Sequence, residues 1–65
     1  MLNNYQKILA VLFEQPEYKF HLRELARRTN LNPNTILNIT KILEEQKVIL
    51  RKKEKNLLII TNNTE

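Results

Sequence analysis

Five consecutive residues, Arg51-Lys52-Lys53-Glu54-Lys55, carry a net +3 in a 65-residue chain whose total charge is +4. Like charges crowded this closely repel one another without a folding gain, and a polyanionic partner offsets the repulsion. Upstream, Arg23 and Arg27 stand four residues apart, the spacing that sets two side chains on one face of a helix. Asn34 and Asn38 repeat that spacing, with Lys41 three residues further on. A carboxamide donates and accepts at once, which matches the N6/N7 edge of adenine. The chemistry on offer is recognition rather than catalysis. His21 is the single histidine and there is no cysteine, so a Cys-based zinc site is excluded and a His-rich one cannot be built. No catalytic residue, metal or cofactor is expected, and the chain does not read as an enzyme.

The elements that must position these residues have little material to work with. Sixty-five residues make one domain at most. A domain this small buries only ~60 % of the surface its unfolded chain exposes, so its stability is marginal. No apolar run approaches the ~20 residues of a membrane span, and the opening MLNNYQK is not a signal peptide. A cytoplasmic binding or assembly module is the expectation. Charge is unevenly spread. Residues 1–22 are neutral, residues 23–50 carry +2, and the basic run supplies the densest point. A mildly basic soluble surface is the plainer reading of +4 taken alone.

Hydrophobic spacing predicts three helices. Tyr5, Ile8, Leu9 and Leu12 follow i, i+3, i+4, i+7, with Asn3 or Asn4 to cap the start and Gln15-Pro16 to end it, giving a first helix over about residues 3–14. A short extended piece, Tyr18 to His21, leads into Leu22, Leu25, Ala26 and Thr29, a second helix over about residues 22–29. Glu24 stands where a capping-box acid belongs, although His21 is a poor cap. Asn32 before Pro33 is a strong start signal for a third helix over about residues 33–46, with Ile36, Ile39, Thr40 and Leu43 turned inward. Asn30 follows a helix end in a chain without glycine, so a positive φ is expected there. Two helices joined by so tight a turn form a helix-turn-helix. Val48-Ile49-Leu50 and Leu57 to Thr61 flank the basic run as a β-hairpin over about residues 48–61, and residues 62–65 read as a polar tail or cut linker. The predicted fold is mainly α with a small β-hairpin.

The segments Phe20-His21-Leu22-Arg23-Glu24-Leu25-Ala26-Arg27-Arg28-Thr29, Asn32-Pro33-Asn34-Thr35-Ile36, Lys41-Ile42-Leu43-Glu44-Glu45 and Val48-Ile49-Leu50-Arg51-Lys52 carry a resemblance. Together they are similar to the winged helix-turn-helix DNA-binding domains of prokaryotic, archaeal-type transcriptional regulators, over about residues 5–61. The resemblance implies that the hairpin is a wing lying along the DNA backbone or in the minor groove. Three positions depart from the pattern: Asn30 and Gln46-Lys47 stand where glycine is usual, and Leu37 where Ser or Arg is common.

In a helix-turn-helix the second helix enters the major groove and its N-terminal residues meet base edges. At ~100° per residue, Asn34, Asn38, Lys41 and Glu45 fall opposite the inward positions. Asn32, Asn34, Thr35, Leu37, Asn38 and Lys41 are therefore candidate base or phosphate contacts. Arg23 and Arg27 are candidates for backbone phosphate, with Arg28 on the flank, and Arg51, Lys52, Lys53 and Lys55 for the same role at the tip. Against this, an exposed helix face is polar in any protein, Arg23 and Arg27 could pair with Glu24 or Glu45, and lysines on a hairpin also discourage edge-to-edge aggregation. Tyr5, Phe13, Tyr18 and Phe20 are expected in the core or at its edge, and His21 at the surface.

Double-stranded DNA is the expected partner and transcriptional regulation the expected role, with a homodimer supplying the contacts one small domain lacks. The alternative is a winged helix used for protein docking or dimerisation within a larger protein, favoured if Leu37, Ile42 and Val11 form an exposed patch. In some archaeal-type proteins a similar domain precedes a nucleotidyltransferase-like one. RNA binding suits the charge but lacks the aromatic sheet of single-strand binders.

Overall fold

The computed structural model describes residues 2–63. Asn3 opens helix α1 (Asn4–Glu14): its side chain accepts from the Gln6 amide at 2.8 Å while the Gln6 side chain accepts from the Asn3 amide at 2.9 Å. This reciprocal capping box satisfies two of the amides that a helix start leaves orphaned. Pro16 stops the helix, and it also removes the N–H that would have bonded the Leu12 carbonyl. The Asn62 carboxamide takes that place, donating to Leu12 O at 2.8 Å and to Pro16 O at 3.2 Å. Asn62 thus closes the molecule across 50 residues of sequence rather than starting a tail. Asn63 is likewise engaged, its side chain donating to the Lys47 carbonyl. Thr64 and Glu65, the rest of the expected tail, lie outside the described residues.

After β1 (Phe20–His21), α2 (Leu22–Thr29) and α3 (Pro33–Glu45) follow, separated by three residues. Asn30 in that turn has φ 58° and ψ 34°, the left-handed geometry expected of it, and the amides of Asn30 and Leu31 both donate to Ala26 O. His21 flanks α2 without a side-chain cap bond, so the anticipated box with Glu24 does not form. Helix α3 begins on Asn32 and Pro33 and ends in a Schellman turn: Lys47 N–H donates to Glu44 O and Val48 N–H to Leu43 O. Lys47, with φ 63°, fills the position glycine normally takes.

Strands β2 (Ile49–Glu54) and β3 (Leu57–Asn62) form a hairpin closed by the pair Glu54–Leu57, leaving Lys55-Asn56 as a two-residue loop. Lys55 is the third residue with positive φ, at 55°. The hairpin is not alone. Strand β1 pairs antiparallel with β3 through Phe20–Ile60 and His21–Ile59, making a three-stranded sheet in the order β1-β3-β2. The fold is therefore mixed α/β, three helices against an antiparallel sheet, rather than a helical domain with an isolated hairpin. Two strand residues suffice because Phe20 is fully buried and anchors β1 to the core.

That core joins Ile8 and Leu12 of α1, Leu25 and Ala26 of α2, Ile36, Ile39 and Leu43 of α3, and Phe20, Ile49 and Ile60 of the sheet. Full burial of each large side chain contributes ~1.5–3 kcal/mol, so every element depends on the others for its share. Thr29 and Thr40 are buried among them and bond back to the Leu25 and Ile36 carbonyls, which leaves no hydroxyl unsatisfied. No helix among the described residues is long and apolar enough to cross a membrane.

Candidate nucleic-acid interface

Helix α3 turns Ile36, Ile39, Thr40 and Leu43 into the core, the four positions its spacing assigned. The opposite face is consequently exposed: Asn34, Asn38, Lys41 and Glu45 lie within about 60° of arc on it at ~100° per residue. Neither the Asn34 nor the Asn38 carboxamide is used in a hydrogen bond among the described residues, and Lys41 has no ion pair there. Their donors and acceptors are available. Thr35 is half-buried and Leu37 sits at the edge of the face. Asn32 is the cap its place before Pro33 predicts: its side-chain oxygen accepts the Asn34 amide at 2.8 Å.

At the hairpin the four basic residues separate into two kinds. Side chains alternate across a strand, which puts Ile49, Arg51 and Lys53 on one face of β2. Ile49 is in the core, and Arg51, two residues further out, is turned against α3. Its guanidinium meets the Glu44 carboxylate at 3.1 Å and 3.2 Å, and the Thr40 hydroxyl at 3.5 Å. Only 20 % of its side chain is exposed. Arg51, expected to meet phosphate, instead ties the hairpin to α3. The reason is register: an odd-numbered residue this close to Ile49 has to face the helix. Lys52 is 76 % exposed with a loose 3.7 Å contact to Glu54, while Lys53 and Lys55 are exposed without an ion pair among the described residues. The tip therefore offers three cations.

No protein family model, no curated protein and no solved structure matches the chain.

Helix α2 brings in a feature that spacing alone did not reveal. Arg23 and Arg27 line a cleft of about 490 Å³ together with Lys53 and Asn56 from the hairpin. Neither arginine pairs with Glu24 or Glu45. Glu24 is held elsewhere, accepting from the Tyr18 hydroxyl at 2.9 Å. That hydrogen bond, reinforced by the carboxylate's charge, raises the Tyr18 phenol above its ordinary value of 10.0, with Arg28 opposing. Arg28 itself lies over the Phe20 ring at 5.5 Å, which accounts for its separation from the other two arginines. The convergence was not legible because it needs the hairpin tip to lie beside α2, and that follows from the pairing of β1 with β3.

The aromatic residues divide. Phe20 is core and Tyr18 packs edge-on against it at 4.6 Å, as expected of the core's edge, whereas Phe13 is 58 % exposed. The patch considered for docking also fails to assemble. Val11 packs against the core, and Leu37 and Ile42, five residues apart on α3, point about 140° away from each other.

Proposed function

We propose that the chain is a winged helix-turn-helix domain that binds double-stranded DNA, with α3 as the recognition helix in the major groove and the hairpin as its wing. Transcriptional regulation in the cytoplasm is the role this suits. The observation that carries the reading is the outward face of α3, where two unengaged carboxamides and a lysine stand in one row. Asn34 and Asn38 would meet base edges, Thr35 and Leu37 a thymine methyl at the flank, and Lys41 a phosphate or guanine. Lys52, Lys53, Lys55, Arg23 and Arg27 would meet backbone phosphate.

One small domain makes few contacts, so we take the DNA-bound form to be a homodimer. Helix α1 offers the surface. Tyr5 and Phe13 are exposed along one flank with Leu9 half-buried between them, and Leu2, just before the helix, is exposed as well. The only charges of the helix, Lys7 and Glu14, lie on the other side. A second copy presents the same uncharged stripe and leaves no ion without a partner. The same stripe supports the second reading, a protein-docking module, in which DNA affinity would be absent.

The two are separated by titrating the protein against duplexes selected from a random library and against scrambled DNA. Asn38→Ala is expected to cost ~1–3 kcal/mol on the selected site and to relax preference at one or two positions. Fold stability should move by under ~0.5 kcal/mol, since Asn38 is exposed. Equal loss on both DNAs would reduce Asn38 to a backbone contact. No duplex binding at all would pass the assignment to docking.

A further inference from the structure

The cleft between α2 and the hairpin tip has the composition of a small-molecule site. Its cations come from separate elements, Arg23 and Arg27 from α2 and Lys53 from β2, and none has an ion-pair partner among the described residues. A carboxylate is at hand in Glu24, yet Tyr18 holds it. The floor is apolar, built by Leu22, Leu57 and Leu58. At about 490 Å³ the cleft falls in the size range of ligand sites, ~300–1,000 Å³. Arg23, Arg27 and Lys53 outnumber the one carboxylate of the lining, Glu24, so the cleft keeps a net positive charge and each cation raises the energy of the others. A dianionic group removes that repulsion, and two guanidinium forks with an ammonium supply charge-assisted hydrogen bonds to several oxygens. Monoatomic anions or sulfate would satisfy the cations but leave the leucines and the Tyr18 ring uncovered.

We infer that this cleft binds a phosphate ester whose non-phosphate part is flat or apolar, the phosphate lying among Arg23, Arg27 and Lys53 and the body against Leu22, Leu57 and Leu58. A free nucleoside monophosphate has this chemistry, and so does a nucleotide of a DNA strand crossing the cleft. In the first case the ligand competes with DNA for the same three cations and acts as an effector. The inference shares Arg23, Arg27 and Lys53 with the phosphate contacts proposed above and goes beyond them in taking a free nucleotide, which does not require α3 to read bases.

The test is a titration of the 15N-labelled protein with AMP, with inorganic phosphate, and with a short duplex, following backbone amides of residues 21–27 and 53–58 against those of α3. AMP is expected to shift the cleft amides saturably and to bind at least tenfold tighter than inorganic phosphate. Arg23→Gln combined with Lys53→Gln should weaken AMP at least tenfold, whereas Lys41→Gln should leave it unchanged. Thermal melting of the double variant establishes that it is folded. Cleft shifts with duplex but not with AMP would also support the site, with the DNA strand as the source of the phosphate. Cleft shifts with AMP and none anywhere with duplex would support the site while removing the DNA-binding proposal. If neither AMP nor duplex moves the cleft amides, or if the folded double variant binds AMP as the wild type does, the inference is overturned. Duplex shifts confined to α3, with no cleft shift by AMP, would overturn it and leave DNA binding standing.

Discussion

Replacing Lys52, Lys53 and Lys55 by Gln should weaken DNA binding and flatten its salt dependence, whereas Arg51→Met should not. Each phosphate neutralised by a protein cation contributes ~0.9 to the slope of log affinity against log salt, because a condensed counterion is released. Three free cations at the tip thus account for up to ~2.7 of that slope if all meet phosphate. Between 50 and 200 mM salt this amounts to roughly a 40-fold greater loss of affinity for the wild type than for the triple variant. Arg51 is already neutralised by Glu44 and is mostly covered, so it has no counterion to release. Its replacement acts on the fold instead. A partly exposed ion pair contributes ~0–1 kcal/mol, and the stem of the side chain adds packing. A loss of about 1 kcal/mol would lower the melting temperature of a domain this size by ~4–8 °C. Fluorescence anisotropy of a labelled duplex at four salt concentrations gives the slopes, and circular dichroism gives the melting points. A slope flattened by Arg51→Met as much as by a single lysine replacement would refute the division between anchored and free cations. An unchanged slope in the triple variant would mean that the tip does not meet phosphate.

Three further outcomes test the backbone and its closure. Asn30→Gly should leave the melting temperature nearly unchanged, because Asn already tolerates the left-handed region, while Asn30→Val should cost ~1 kcal/mol or more. Lys47→Gly should stabilise by ~0.5–1 kcal/mol: the left-handed penalty of a residue with a β-carbon, ~1–2 kcal/mol, is relieved, and part is returned as the greater freedom of glycine in the unfolded chain. A lower denaturation midpoint for this variant would show that the lysine makes contacts worth more than its strain. Asn62→Leu should cost ~1–3 kcal/mol in urea denaturation by orphaning the Leu12 carbonyl, and an unchanged midpoint would show that solvent replaces the bond.

Local signals determined most of what could be read in advance. Pro16, Asn30 and the Asn32-Pro33 pair mark boundaries through their own dihedral and capping preferences, and they do so without reference to the rest of the chain. The inward positions of α3 follow equally from a 3.6-residue period. What escaped reading depends on non-local pairing. Phe20 and His21 read as a short extended piece, but their pairing with Ile60 and Ile59 of β3 joins segments far apart in sequence. Asn62 looks like tail because its partners lie 50 and 46 residues upstream. Arg51 reads as one more cation in a basic run until the hairpin register turns it toward Glu44. At the candidate site the outward positions of Asn34, Asn38 and Lys41 follow from the spacing of α3, while the grouping of Arg23 and Arg27 with Lys53 was not legible.

Strand β2 shows how one face can serve three purposes. Ile49, Arg51 and Lys53 share it at successive distances from the core, and their exposure rises in that order. The first fixes the strand to the hydrophobic interior. The second sits where the space beside α3 is half closed, a place that suits an apolar stem and a paired charged head. An arginine that spans to Glu44 and Thr40 meets both conditions. The third stands clear of the core and reaches the cleft beside Arg23 and Arg27. Because the ion pair lies between the buried and the free residue, it sets the direction in which the outer half of the strand leaves the domain. Hairpins are otherwise marginal, and a two-residue loop with a lysine at positive φ adds strain at the tip. The third strand offsets this by pairing β3 on its other edge, so the basic tip is carried on a braced sheet rather than on a free ribbon.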